Sequence, residues 1–148
     1  MRAVFVVLVA CSSAEAPDLR VMTPRTTLAT LFEAWGIEGL SGAEVKARQE
    51  SGRRFHLSDP QAFRACFADW ERREDEALAG YVFGVLAPAK GSLRVVPGEE
   101  RTLVFAPDAS PIVLRPGHGW RIVLQESVPA SVRRRLVVEA RRLAPAHE

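Results

Sequence analysis

The residues able to do chemistry are few and scattered. His56 and Asp59 stand three apart, a spacing at which a carboxylate can raise an imidazole's basicity for general-base work. The plainer assignment has Asp59 capping a helix and His56 in the loop before it. His118, between Gly117 and Gly119, reads as a turn residue, and His147 as part of a frayed terminus. Asp69 stands beside Trp70, but helical phase puts it off the apolar face. Trp35, Trp70, Tyr81 and Trp120 are candidates for the walls of a ligand pocket, although residues at these spacings are more often plain core. No nucleophile elbow, P-loop, dinucleotide glycine pattern or metalloprotease helix occurs. Cys11 and Cys66 are the only cysteines, so at most one disulfide can form, and no zinc-type Cys/His spacing is present. No catalytic residue, metal ligand or cofactor is assigned.

Cys11 has the most specific context. Arg2 supplies a positive start, Ala3 to Val9 a short apolar run, and then comes Leu8-Val9-Ala10-Cys11. This order resembles the lipobox of bacterial lipoproteins: a branched apolar residue, a tolerant position, a small residue, then cysteine. The resemblance implies that the Cys11 thiol takes a diacylglyceryl group as a thioether and becomes the new N-terminus. Several acyl chains then hold the chain stably, where one chain would be marginal. Ser12 to Asp18 is small, polar and proline-containing, as a flexible tether would be. The implied organisation is a signal peptide over 1–10, a lipidated cysteine and tether over 11–22, and a single domain over 23–148. The expected location is the cell envelope, at the periplasmic face of the outer or inner membrane, with the bilayer as partner through acylated Cys11. The competing assignment makes residues 2–10 a buried strand of a cytosolic domain. With Cys11 acylated, Cys66 has no partner and reads as a small core hydrophobe.

Composition sets outer bounds. At 148 residues the chain fits one domain, and an apolar content of 47% is enough for a real core. A net charge of +2 is too small to argue for nucleic acid as a partner. No apolar run approaches the roughly 20 residues of a membrane-spanning helix.

The elements that would position these groups can be read from period and capping. The stretch 22–36 predicts a helix: Thr23 caps it, Pro24 suits its first position, Leu28, Leu31, Phe32 and Trp35 share a face, and Gly36 stops it. Ser41 and Glu44 predict a short, exposed helix over 41–50. Residues 51–59 read as loop or short strand. Ser58 or Asp59 caps a further helix through 58–70, with Phe63, Cys66, Phe67 and Trp70 on one face. Glu71 to Glu76 reads as an exposed turn or helix face. Apolar spacing then resumes at Ala77, Leu78, Tyr81, Val82 and Val85, with Gly80 and Gly84 allowing close packing against a sheet. From Gly91 the period becomes two. Leu93 and Val95, Leu103 and Phe105, Ile112 and Leu114, then Trp120, Ile122 and Leu124 predict four strands of an antiparallel meander. A last helix over 127–143 carries the apolar stripe Val132, Leu136, Ala140 and Leu143. It also carries the basic residues Arg133, Arg134, Arg135, Arg141 and Arg142, suited to anionic headgroups, to a partner or to solvent. Helices, then a meander, then a helix predict an α+β fold with helices on one face of the sheet.

This pattern resembles NTF2-like (SnoaL-like) domains, through "TPRTTLATLFEAW" as first helix, "SDPQAFRACF" as a later one and "SPIVLRPGHGWRIVLQ" as closing hairpin. The resemblance spans roughly residues 23 to 126. It implies a cone, with a curved sheet around helices and an apolar pocket that in some members holds a catalytic Asp, His or Tyr and in many others holds none. The early strand pair of that family is not evident, and the basic terminal helix is extra. The leading expectation is a non-enzymatic, membrane-anchored binding or envelope-assembly module, with an unidentified protein as a further partner. The alternatives are a small NTF2-like enzyme or carrier of an apolar ligand, and a cytosolic α+β domain.

Overall fold

Thr23 opens the first helix, α1 (Pro24–Ala34), with a capping box built from two threonines. Its hydroxyl accepts from Thr26 N (3.1 Å), while Thr26 Oγ1 accepts from Thr23 N (2.9 Å), so two otherwise unpaired amides are satisfied reciprocally. Leu28, Leu31 and Phe32 are buried, and Gly36 ends the helix at φ +65°, a conformation that favours glycine. These residues belong to a computed structural model that describes residues 17–143. The remaining elements are α2 (Gly42–Glu50), α3 (Pro60–Ala65), α4 (Asp75–Leu86), β1 (Arg94–Val96), β2 (Thr102–Phe105), β3 (Ile112–Gly117), β4 (Gly119–Ile122), α5 (Leu124–Ser127) and α6 (Ala130–Leu143). The fold is α+β, with helices leading, a four-stranded antiparallel meander in the order β1-β2-β3-β4, and a C-terminal helix.

The core lies between the helices and one face of the sheet. Leu31, Phe63, Leu78, Val82 and Leu86 from the helices meet Val104, Ile112, Leu114 and Ile122 from the strands. Register decides which strand residues point inward. Thr102 pairs with Leu114 and Val104 with Ile112, so the inner face of β2 carries Thr102 and Val104. Leu103 and Phe105, expected inside, are half-buried on the outer face, where Arg94 lies over the Phe105 ring at 4.6 Å. Leu124, expected to extend the last strand, instead begins α5.

Two helical expectations also change. The apolar spacing of 58–70 continues past the end of α3 at Ala65 because the chain has a better use for its backbone. Cys66 and Ala68 run beside β4, with Ile122 N donating to Cys66 O (2.7 Å) and Ala68 N to Ile122 O (2.8 Å). These bonds satisfy an edge that would otherwise expose unpaired groups. In α4 the buried stripe is Leu78, Ala79, Val82, Phe83 and Leu86, which leaves Gly80 and Gly84 exposed with nothing near an added Cβ. The close approach to the sheet expected of them does not occur. Asp75, expected on an exposed stretch, is 2% exposed, and its Oδ2 accepts from Glu71 N (3.0 Å) and Arg72 N (2.8 Å) to cap the first turn.

The chain joins the fold before residue 23. Leu19–Val21 forms a 3-10 turn and Val21 is fully buried, so residues assigned to a tether as far as 22 already belong to the packed domain. Two buried threonines of α1 hold this segment and β4 to the helix: Thr30 Oγ1 donates to Arg20 O (2.6 Å), and Thr27 Oγ1 to Trp120 O on β4. Gly119, at φ +92°, completes the seam, since a Cβ there would lie 2.6 Å from Val21 Cγ2 and Val21 O.

Candidate functional site

The entering segment, α3 and β4 converge at this seam and leave an open cleft of about 420 Å³ between them. Arg20 comes from the 3-10 turn, Gln61 and Arg64 from α3, Arg121 from β4, and Trp70 from the loop that covers the β4 edge. Asp18 is the cleft's carboxylate and is already engaged. Arg20 donates to it twice, Nε to Oδ1 (2.9 Å) and Nη2 to Oδ2 (2.8 Å), a bidentate pair. That hydrogen bond holds the Asp18 carboxyl below the usual carboxylate range, with the Arg20 and Arg121 charges adding to it through space. Arg64 is steadied by its guanidinium lying 5.4 Å from the centre of the Trp70 ring and by a bond from Nη2 to Trp70 O (3.3 Å). Arg121 makes no side-chain hydrogen bond among the described residues, and its Nε is buried without an acceptor.

The residues singled out from the sequence do not gather here. Trp35 is stacked on Phe83 (4.5 Å between centroids) and edge-on to Phe63 (5.2 Å), as part of the core's aromatic layer. Trp70 packs edge-on to Phe63 and Phe67 and turns its other side to the arginine cleft. Tyr81 is half-buried against the core from α4. Trp120 borders a different hollow, with Asp18, Met22 and the β3–β4 turn. Cys11 and His147 lie outside the described residues.

The candidate acids, bases and nucleophile have structural partners or stand alone. Asp59 accepts from Ala62 N (3.1 Å) as the cap of α3, while His56 is exposed in the preceding loop and His118 is exposed in the β3–β4 turn. Asp69 accepts from Leu124 N (2.7 Å) and Gln125 N (3.0 Å), capping α5 from across the molecule. Cys66 donates to Ala62 O (3.3 Å), and burial pushes its thiol up to about 12, so it is no nucleophile near neutral pH. No group of three or more metal-ligating side chains occurs among the described residues.

Two other hollows open on the surface. One of about 400 Å³ has Leu28, Phe32, Leu93 and Val95 as its floor and Glu33 and Lys90 at its rim. Lys90 is committed to structure, donating to the carbonyls of Ile37 (2.6 Å), Glu38 (2.6 Å) and Leu40 (2.8 Å) and so closing the loop after α1. The other, of about 480 Å³, lies between α4 and α6 beside Ala77, Leu136 and Ala140.

The arginine cleft is not legible in the sequence. Its members are isolated along the chain, and each alone looks like a solvated surface charge. The single local signal was Arg121 between Trp120 and Ile122 on a strand beside the core.

Comparison of the chain with protein-family models, with curated proteins and with solved structures returns no match.

Proposed function

We propose that this chain is a lipid-anchored, non-enzymatic binding module, held at the periplasmic face of a bacterial membrane through Cys11. The observation that carries the reading is where the chain joins the fold. It enters at Asp18, seven positions after Cys11, and packs beside β4, whose outer edge is already taken by Cys66–Ala68. A strand formed by residues 2–10 would have to find another place in the sheet, whereas a detachable leader needs none. The lipobox order of Leu8 to Cys11 and the small, polar Ser12 to Ala16 support the same reading. Seven extended residues reach at most about 25 Å, so the domain would ride close to the bilayer.

The binding role rests on how the polar groups are used. Asp59, Asp69 and Cys66 each serve the fold, and the inner face of the sheet is filled by side chains of α1, α3 and α4. Helices preceding an antiparallel meander agree with an NTF2-like domain. The filled inner face favours the non-catalytic members of that family over those with an enclosed reaction pocket.

Metabolic labelling with a palmitate analogue, followed by membrane fractionation, tests the anchor. The wild-type chain is expected to label and sediment with membranes, and Cys11→Ala to do neither. A soluble, unlabelled wild type overturns the reading.

A further inference from the structure

We propose that the cleft between Arg20, Arg64 and Arg121 binds a phosphate-class oxyanion, which gives the binding-module reading a ligand chemistry. Arginines from three separate elements line one hollow, against a single carboxylate. Asp18 has both oxygens occupied by Arg20, which leaves Arg64 and Arg121 without a hydrogen-bonded anionic partner among the described residues. A guanidinium presents a planar fork of donors that matches two oxygens of a tetrahedral oxyanion.

Three details separate this cleft from an ordinary solvated face. Arg121 has no side-chain hydrogen bond among the described residues and its Nε–H is buried without an acceptor, so the fold itself leaves this guanidinium uncompensated. Arg64 is fixed before any ligand arrives, by the Trp70 ring and the Trp70 carbonyl, so little side-chain entropy remains to be lost on binding. Phe67 and Trp70 form an apolar wall, which lowers the local dielectric and strengthens charge pairing. Gln61 adds a neutral donor at the rim.

The oxyanion has two possible sources, a dissolved phosphate and the phosphodiester of an anionic lipid. The second rests on the anchoring proposed above, since Asp18 sits both at the cleft and at the end of the short connection to Cys11.

The test uses the full chain as Cys11→Ala, so that no acyl group contributes. Inorganic phosphate is titrated at constant ionic strength while the Nε–Hε NMR signals of Arg64 and Arg121 and the indole N–H signal of Trp70 are followed. In parallel, co-sedimentation is measured with phosphatidylglycerol vesicles and with phosphatidylcholine vesicles. Saturable shifts with phosphate assign a dissolved ligand. Sedimentation with phosphatidylglycerol alone, without phosphate saturation, assigns the lipid diester. In either case Arg64→Gln, a change at an exposed position, is expected to weaken binding about tenfold, while Arg134→Gln on α6 leaves it unchanged. The proposal is overturned by no saturation in either arm, by an unaffected Arg64→Gln, or by an equal loss in Arg134→Gln, which would reduce the effect to bulk charge. Failure of palmitate labelling in the wild type leaves the phosphate titration standing, so the two readings fail separately.

Discussion

The seam at β4 and the outer layer formed by α4 and α6 are both rich in arginine and glycine, and they use these residues in opposite ways. At the seam, Arg20, Arg64 and Arg121 come from three elements and line one hollow. On α6 the arginines follow one another along a single helix that buries no residue, and their partners are peripheral: Arg133 donates to Gln125 O (3.0 Å) and Arg141 meets Glu74 at 3.5 Å. Glycine shows the same contrast. Gly119 is demanded by its φ of +92° and by the space Val21 occupies, while Gly80 and Gly84 on α4 face open solvent. Residue type alone therefore does not separate a built site from a solvated face. Convergence and lack of room do.

The most damaging way to break the seam is Gly119→Ala. The new Cβ would meet both backbone and side chain of Val21 at 2.6 Å and would have to adopt a left-handed φ. Strained backbone and overpacking each cost about 1–3 kcal/mol, so a loss of about 2–6 kcal/mol is expected in urea unfolding. Gly117→Ala is the matched control two residues away: its Cβ has open space and its φ is not positive. A change within about 0.5 kcal/mol is expected there. Equal effects at the two positions would mean that the seam is not the tight junction described.

A gentler probe of the same region is alkaline pH. Cys66 is buried against α3 and the Thr27 carbonyl, and burial raises its thiol from about 9 to about 12. The folded state thus holds the proton more tightly than the unfolded chain. The stabilisation is fully present below about pH 9 and is lost as the pH rises toward 12. By pH 10 the wild type is expected to lose about 1 kcal/mol relative to its neutral value, beyond whatever Cys66→Ala loses over the same range. Parallel pH profiles for the two chains would show that the thiol is not sequestered.

Much of the fold was legible because its local signals agree with one another. Thr23-Pro24, Ser41 and Asp59-Pro60 do cap helices, and the period-two stretches do form the meander in sequence order. The errors came where a distant partner decides. The early end of α3 answers the needs of the β4 edge, which the 58–70 stretch does not reveal. The inner face of β2 is Thr102 and Val104 because of their pairing with Leu114 and Ile112, although Leu103 and Phe105 are the more apolar pair. That sheet is apolar on part of both faces, with Val113 also buried, so alternation alone cannot orient it. The candidate site was less legible still. The aromatic residues chosen for a pocket are conspicuous by type, but Trp35 serves the core and the other three do not share a hollow. The arginines are individually unremarkable, and Lys90, which satisfies three carbonyls of a distant loop, reads in sequence as an ordinary surface cation.

The smallest expected effect sharpens the comparison from its other side. If the outer layer tolerates its glycines without needing them, filling them should help the fold. Gly80 and Gly84 lie within α4, neither has a positive φ, and an added Cβ at either meets nothing within 4 Å. Alanine at such a position loses less backbone freedom on folding than glycine, which is worth roughly 0.5–1 kcal/mol per site. Gly80→Ala and Gly84→Ala are each expected to raise the melting temperature by about 2–4 °C. They share no packing partner in the open space around them, so the double variant should be close to the sum. Neither change touches the arginine cleft, so the phosphate titration should be unaltered in both. A loss of stability in either variant would show that α4 approaches a neighbour on this face, in α6 or in a second molecule, and that the outer layer is as tightly specified as the seam.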